Sequence, residues 1–397
     1  MASIYFDNAA TSWPKPPGVR AALDDYFGGA SGNPGRSGHR MSVAAARLIE
    51  HAREALADLF NVSDPSRLVF TQNATHALNL AISGLLHAGD HVVTTSLEHN
   101  SVMRPLRHLE SSGVAVTVVN CTRQGLLDVD DVRRALRANT RLVVTTHGSN
   151  VVGALMPIRA LAALAREHGI PYLVDASQTA GAIPIDVQDL GLDLLAFTGH
   201  KGLLGPTGTG GLYIREGVAV EPLIRGGTGS DSAREIQPEF LPDAYESGTL
   251  NVAGIAGLGA GVRFLADVGI EAVKTHEQAL VAQFIAGASD IPGLTVYGPR
   301  DAALHCGVVS FNVAGAMASE VALILDESFE IMARSGLHCA PSAHRTLNTF
   351  PTGTVRFSFG WFNTPVEVET ALRALGDVAA WGAGSKVPEG SVKTWTA

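Results

Sequence analysis

Cysteine is scarce in this chain: Cys121, Cys306 and Cys339 are the three thiols among 397 residues. So few cannot form the disulfide framework of a small secreted scaffold, and a chain this long can bury a large core without one. A basic surface is missing too. Lys and Arg number 29 against 38 Asp and Glu, a net charge of -9, with no basic stripe, which argues against nucleic acid as a partner because phosphate recognition needs clustered cations. No apolar run reaches the roughly 18 to 20 residues needed to span a bilayer, and Met1 to Asp7 lack the basic start and apolar middle of a signal peptide. The expectation is a cytoplasmic protein, off the membrane, with reduced thiols. Repeats and low-complexity blocks are absent as well. At 46% hydrophobic and 17% charged residues, the composition is that of a globular chain long enough for two domains.

What is present is an alternation of strand-length apolar runs and helical periodicity from about residue 20 to 260. Strands are expected at 68–71, 91–95, 114–119, 141–146, 171–175, 193–198 and 210–214. Helical patterns such as Ser42 to Phe60 and Ile158 to His168 lie between them, the second followed by Gly169 as a C-cap. That rhythm is the signature of βαβ units, so the fold class is α/β, with a mainly parallel seven-stranded sheet in a large domain over 20–260. Beyond it, strands near 294–297 and 307–313, then helix, strand and helix, indicate a smaller α+β C-terminal domain over 261–382, joined by the N-terminal arm 1–19. Residues 383–397, rich in Gly, Ser, Pro and charge, are expected to form a flexible tail.

Chemistry gathers at the strand ends. Leu192 to Phe197 reads as a short buried strand, and Thr198-Gly199-His200-Lys201 follows it. This places Lys201 on the rim where open α/β sheets bind ligands. A desolvated lysine becomes a nucleophilic amine. Upstream, Tyr172-Leu173-Val174-Asp175 ends a second apolar strand in a carboxylate. Pyridoxal phosphate uses this pair: a lysine for its aldehyde and an acid for its pyridinium nitrogen. Other rim groups are weak singly but converge. Ala74 and Thr75 open a helix after a strand, where free N–H groups could hold a phosphate; a plain N-cap is the alternative. His99 follows the strand His91 to Thr95 and could stack on a planar ring, although loop histidines are commonly structural. Asn150 and Gln178 could donate to a phenolic oxygen.

A second reactive segment is Arg334-Ser335-Gly336-Leu337-His338-Cys339-Ala340-Pro341. Free cysteine is usually a small buried hydrophobe, but Cys339 lies in a polar loop with Arg334 five residues before it, which favours an exposed, reactive sulfur. Cys121 ends an apolar strand and Cys306 precedes one, so both are assigned to structure. A metal reading would use His338, Cys339 and His344, with His305 and Cys306, but the spacing matches no strong zinc pattern and no metal is expected. Arg356, in the alternating run Val355 to Phe359, could bind a substrate carboxylate bidentately or be an ordinary surface arginine.

Together these residues give a chain that resembles the class V aminotransferase-fold cysteine desulfurases, the NifS/SufS-like pyridoxal-phosphate enzymes, over nearly its whole length. The motifs carrying the resemblance are Tyr5-Phe6-Asp7-Asn8-Ala9-Ala10-Thr11, Val174-Asp175-Ala176-Ser177-Gln178, Thr198-Gly199-His200-Lys201 and Glu246-Ser247-Gly248-Thr249-Leu250-Asn251. The resemblance implies the pyridoxal-phosphate-dependent transferase fold type I. It makes Lys201 the cofactor lysine, Asp175 the pyridinium partner and His99 the stacking ring. Asn150 and Gln178 would meet the phenolic oxygen, and Ala74, Thr75, Thr198 and His200 the phosphate, with Thr249 supplied by the second subunit of a homodimer. Arg356, Arg334 and Asn150 would hold the substrate, L-cysteine or selenocysteine, and Cys339 would take the sulfur and pass it to a protein acceptor. The compact cysteine loop is similar to the SufS-type group. It departs from that group in Leu337-His338, where His-His is common, in Ala340 to His344, and at His76, where an acid is expected. Selenocysteine lyase or cysteine sulfinate desulfinase on the same fold is the alternative activity.

Overall fold

The computed structural model describes residues 3–35, 37–231 and 233–382; the expected tail at 383–397 lies outside the described residues. In chain order the strands are β1 (Ile4–Tyr5), β2 (Leu68–Thr71), β3 (His91–Thr95), β4 (Ala115–Val119), β5 (Thr140–Thr146), β6 (Tyr172–Asp175), β7 (Leu194–Thr198), β8 (Gly210–Ile214), β9 (Leu294–Tyr297), β10 (Val308–Val313), β11 (Ile331–Met332), β12 (Arg334–Gly336) and β13 (Thr354–Ser358). Seven of them form one sheet in the order β2-β8-β7-β6-β5-β3-β4. All run parallel except β8, which is antiparallel to both neighbours. The expected strands therefore stand at their expected places, within a residue at each end.

These segments are strands because helices cover both faces. β6, β7 and β8 are buried at every position, and a strand buried on both sides is a continuous run of Val, Leu, Ile and Phe rather than an alternation. One face packs on the helices Arg40–Phe60, Ile158–Glu167 and Val252–Val268. The other packs on Ala74–Leu85 and Asn100–Glu110. Asn61 closes the first of these helices in the left-handed region at φ 54, and Gly169 adopts φ 65 two residues past Glu167, where glycine avoids the Cβ penalty.

A separate apolar cluster joins the N-terminal arm to the C-terminal third. Ile4 and Phe6 pack with Phe284, Phe311, Phe357 and Phe359, the Phe6 and Phe357 rings lying 5.1 Å apart. Its sheet is antiparallel, in the order β12-β13-β10-β9, and β1 pairs in parallel with β11. The short strands β11 and β12 replace what the sequence presents as loop. Two- and three-residue strands carry no periodicity, and it is their partners β1 and β13 that define them. No single helix among the described residues is long and apolar enough to cross a membrane.

Candidate active site

The carboxyl ends of the parallel strands bring the expected residues to one rim. A cavity of about 310 Å³ there is lined by Ala74, Thr75, His99, Asn150, Asp175, Gln178, Thr198, His200, Lys201, Arg334 and Arg356, a size typical of small-ligand sites. Of the expected site residues only Thr249 and Cys339 stand outside its walls. Thr249 is exposed and lines another hollow with Arg53 and Glu246. Cys339 lines an adjoining groove that shares Thr75, His99 and Ser101 with the cavity.

Lys201 sits on a tight turn after β7. Its carbonyl accepts from Ser12 Oγ at 2.8 Å, and Gly202 presses against Gly181. A Cβ at Gly181 would come within 2.4 Å of the Gly202 oxygen, and Gly181 itself has φ 87, so only glycine fits there. Burial pulls the Lys201 pKa down from 10.5 to about 8; Asp175 opposes the shift, while Arg356 and Arg334 add to it. That raises the neutral fraction at pH 7 by about two orders of magnitude over an ordinary lysine. The sign gives a prediction. The rate at which the apoprotein forms its lysine bond to pyridoxal phosphate, followed by visible absorbance, will rise with pH and level off above about 8. A continued climb toward 10.5, the ordinary lysine value, would show an unperturbed amine.

Asp175 ends β6 and is 3% exposed. Ser177 donates to its Oδ1 twice, through the backbone N at 2.9 Å and through Oγ at 2.5 Å, which leaves Oδ2 available to a ligand nitrogen. His99 caps the helix Asn100–Glu110: its Nδ1 accepts from Ser101 N at 3.0 Å, so the ring proton lies on Nε2. Burial, with smaller contributions from Lys201, Arg334 and Arg104, takes its pKa down to about 4 against the pull of Asp175. A neutral ring in a fixed plane is suited to stacking on a heteroaromatic ligand.

One wall of the cavity is a helix start. Asn73 caps Ala74–Leu85 by accepting from His76 N at 3.0 Å, and first-turn N–H groups have no intrahelical acceptor. β8 passes close beneath, and a Cβ at Gly210 would meet Asn73 backbone at 2.8 Å. Thr75 Oγ1 bonds Ser101 Oγ at 2.7 Å. Among the described residues, buried His200 Nδ1 and Arg356 Nε have no hydrogen-bond partner. Unfilled donors and acceptors of this kind beside a helix terminus, a low-pKa lysine and a fixed carboxylate fit pyridoxal phosphate: Lys201 for the aldehyde, Asp175 for the ring nitrogen, and the Ala74–Thr75 start with Thr198 and His200 for the phosphate.

The thiols separate cleanly. Cys121 and Cys306 are buried, and burial pushes both up to about 12, whereas Cys339 is exposed. Arg334 Nη2 donates to the Cys339 sulfur at 3.5 Å, placing a positive charge beside it. His338 and Cys339 both adopt the left-handed region, at φ 47 and 58, a conformation that costs non-glycine residues energy and persists only where neighbours enforce it. Here Asn150 Nδ2 donates to the His338 carbonyl at 2.7 Å and Asn100 N to the Cys339 carbonyl at 2.8 Å. The Cys339 backbone is thus held against the start of the helix that His99 caps. Asn150 and Gln178 both reach the cavity, but their amides bond protein here, Gln178 Nε2 donating to the Ala9 carbonyl at 3.1 Å. The histidines of the metal reading are engaged elsewhere. His338 Nε2 meets Thr354 at 3.1 Å and His344 Nδ1 meets Thr349 Oγ1 at 2.7 Å. Among the described residues no group of three or more His, Cys, Asp or Glu could hold a metal.

Sequence reasoning missed Glu98 and the partner of Arg356. Glu98 is fully buried and accepts from Thr95 Oγ1 at 2.5 Å and from Thr146 N at 2.8 Å, tying the ends of β3 and β5 together behind Asp175. Burial raises it to about 8, and Asp175 adds to the rise. The available signal was an acid three residues past the strand His91–Thr95, next to His99.

Residues 4–371 match the aminotransferase class-V family. Among curated relatives, a probable cysteine desulfurase of Methanothermobacter thermautotrophicus is 37% identical, covering 96% of this chain and 95% of its own. One from Pyrococcus abyssi is 38% identical over 94% and 93%. Among solved structures, the apo cysteine desulfurase of Thermococcus onnurineus superposes with a TM-score of 0.88 at 36% identity and 95% coverage of both chains. The cysteine desulfurase CsdA of Escherichia coli gives 0.85 at 30% identity, with 96% of this chain and 95% of that one covered. With residues 4–371 matched by the family and relatives above 30% identity along nearly the whole chain, the chain belongs to the aminotransferase class-V family and has the fold of pyridoxal-phosphate-dependent transferases of fold type I.

Proposed function

We propose that the protein is a pyridoxal-phosphate-dependent cysteine desulfurase that converts L-cysteine to L-alanine and leaves the sulfur on Cys339 as a persulfide. The observation that carries this reading is the placing of a low-pKa lysine, a fixed aspartate and a buried arginine in one cavity, with the one exposed thiol of the three at its edge.

When bound, pyridoxal phosphate supplies an electron sink that makes the substrate Cα–H acidic. Lys201 would anchor it, Asp175 would keep the proton on its ring nitrogen and His99 would stack on the ring. Asn150 and Gln178 would meet the phenolic oxygen, and Ala74, Thr75, Thr198 and His200 would hold the phosphate. Arg356 takes the substrate carboxylate, helped by Arg334. Released by the substrate amine, Lys201 is the base for the Cα proton, and its pKa near the operating pH suits that work. The Cys339 thiolate attacks the substrate sulfur, the S–Cβ bond breaks with its electron pair going to carbon, and Lys201 returns a proton to complete the methyl group. Cysteine plus a thiol gives alanine plus a persulfide, so atoms and electrons balance without an outside oxidant. A protein thiol is the expected recipient of that sulfur.

Thr249 stands outside its own chain's cavity while Arg53 and Glu246 anchor its segment, Arg53 donating to both carboxylate oxygens at 2.8 and 3.0 Å. This supports a homodimer in which Thr249 completes the partner's phosphate site. Light scattering of the active, cofactor-loaded protein will give the mass of two chains, and an active monomer would overturn the assignment.

A further inference from the structure

The N-terminal motif has no role in the chemistry so far, yet its Asp7 side chain bonds Arg356, a residue of the cavity wall. Arg356 is 1% exposed. Its Nη2 donates to Asp7 Oδ1 at 2.7 Å and its Nη1 to the Asn150 carbonyl at 3.1 Å. Two acceptors on two nitrogens fix the plane of the guanidinium, which an arginine side chain, with its many rotamers, does not hold unaided. The remaining N–H groups, including the partnerless Nε–H, are those a carboxylate could take as a fork. We propose that Asp7 is a positioning residue for substrate capture: it holds Arg356 in the orientation that receives the amino-acid carboxylate. This deepens the reading of Arg356 given above and rests on it.

Asp7 is well placed for this work because its backbone is fixed independently of its side chain. Ser358 N donates to the Phe6 carbonyl at 2.8 Å, Ala9 N to Ser358 Oγ at 2.8 Å, and Asn8 Nδ2 to the Ser358 carbonyl at 2.9 Å. The arm is thus bound to β13 two residues beyond Arg356 and sunk into the aromatic cluster at Phe6. Truncating the Asp7 side chain leaves these bonds in place. Two effects then oppose each other. Losing the Asp7 charge removes a competitor for the guanidinium, which favours substrate, while losing the acceptor frees Arg356 to rotate, which disfavours it. For a buried arginine the second dominates, because a buried N–H left without its acceptor carries the desolvation cost of an unsatisfied donor, and the side chain turns to relieve it. Asp7→Asn separates the two, keeping an oxygen acceptor and dropping the charge.

The test uses cofactor-loaded protein. Asp7→Ala is expected to raise KM for cysteine by about tenfold, as for loss of a substrate-orienting contact, with kcat within about threefold and Asp7→Asn close to wild type. Binding of L-alanine, read from the visible spectrum, is expected to weaken by a similar factor in Asp7→Ala, while ethylamine, which has no carboxylate, binds both proteins alike. The alanine and ethylamine comparison needs no turnover, so it still decides the role of Asp7 should the protein prove not to desulfurate cysteine. Unchanged alanine binding in Asp7→Ala, an equal loss for ethylamine, or equal damage in Asp7→Asn and Asp7→Ala would overturn the proposal.

Discussion

Lys201→Ala will lower alanine release from cysteine by about four orders of magnitude or more and will leave the purified protein without visible absorbance. One side chain is asked to do two jobs. A positioned general base contributes about 10²- to 10⁴-fold, and the same amine anchors the cofactor, so both contributions go together. Lys201→Arg will fail equally, because a guanidinium stays protonated and has no lone pair to offer. That comparison separates the nucleophile from the charge. Surrounding positive charge would remain in both variants, as Arg334 and Arg356 line the same cavity. Turnover within about tenfold of wild type in Lys201→Ala would place the base elsewhere.

Much of this site was legible in the sequence, and the reasons are local. Lys201 follows, and Asp175 ends, a strand buried at every position. Such strands are continuous apolar runs, and the rim position then follows from the handedness and order of βαβ units. The seven-stranded sheet was legible for the same reason. The ring of β1 with β11, and the brief strand β12, were not: their pairings join residues more than three hundred positions apart or depend on β13 for definition. The Asp7–Arg356 pair spans 349 positions, and no local pattern reports so distant a contact. Glu98 was hidden by its neighbour, since His99 offered the more obvious chemistry. The relation of Asn150 to the His338 carbonyl depends on two successive left-handed residues, a backbone state that His338-Cys339 does not advertise.

Cys339→Ala will cut cysteine turnover by about a thousandfold or more, as expected when the attacking nucleophile of a covalent step is removed, yet the visible absorbance will remain. Every cofactor-holding group proposed above lies outside that side chain, and Cys339 itself lines the adjoining groove. Selenocysteine and cysteine sulfinate will be spared in the same variant, because selenium or sulfite can leave carbon without a thiolate to receive it. The pattern across the three substrates separates the desulfurase reading from selenocysteine lyase or sulfinate desulfinase. Cys121→Ala and Cys306→Ala serve as controls and will keep activity, since burial pushes both thiols up to about 12 and so keeps them protonated near neutral pH. Full cysteine turnover in Cys339→Ala would remove the persulfide from the mechanism altogether.

The most direct measurement of the central claim is mass spectrometry of the peptide carrying Cys339, taken from cofactor-loaded protein after brief exposure to L-cysteine and without added acceptor. The mechanism predicts a gain of one sulfur atom on Cys339, none on Cys121 or Cys306, and none in Lys201→Ala. Alanine formed in stoichiometric amount with Cys339 unmodified would contradict it.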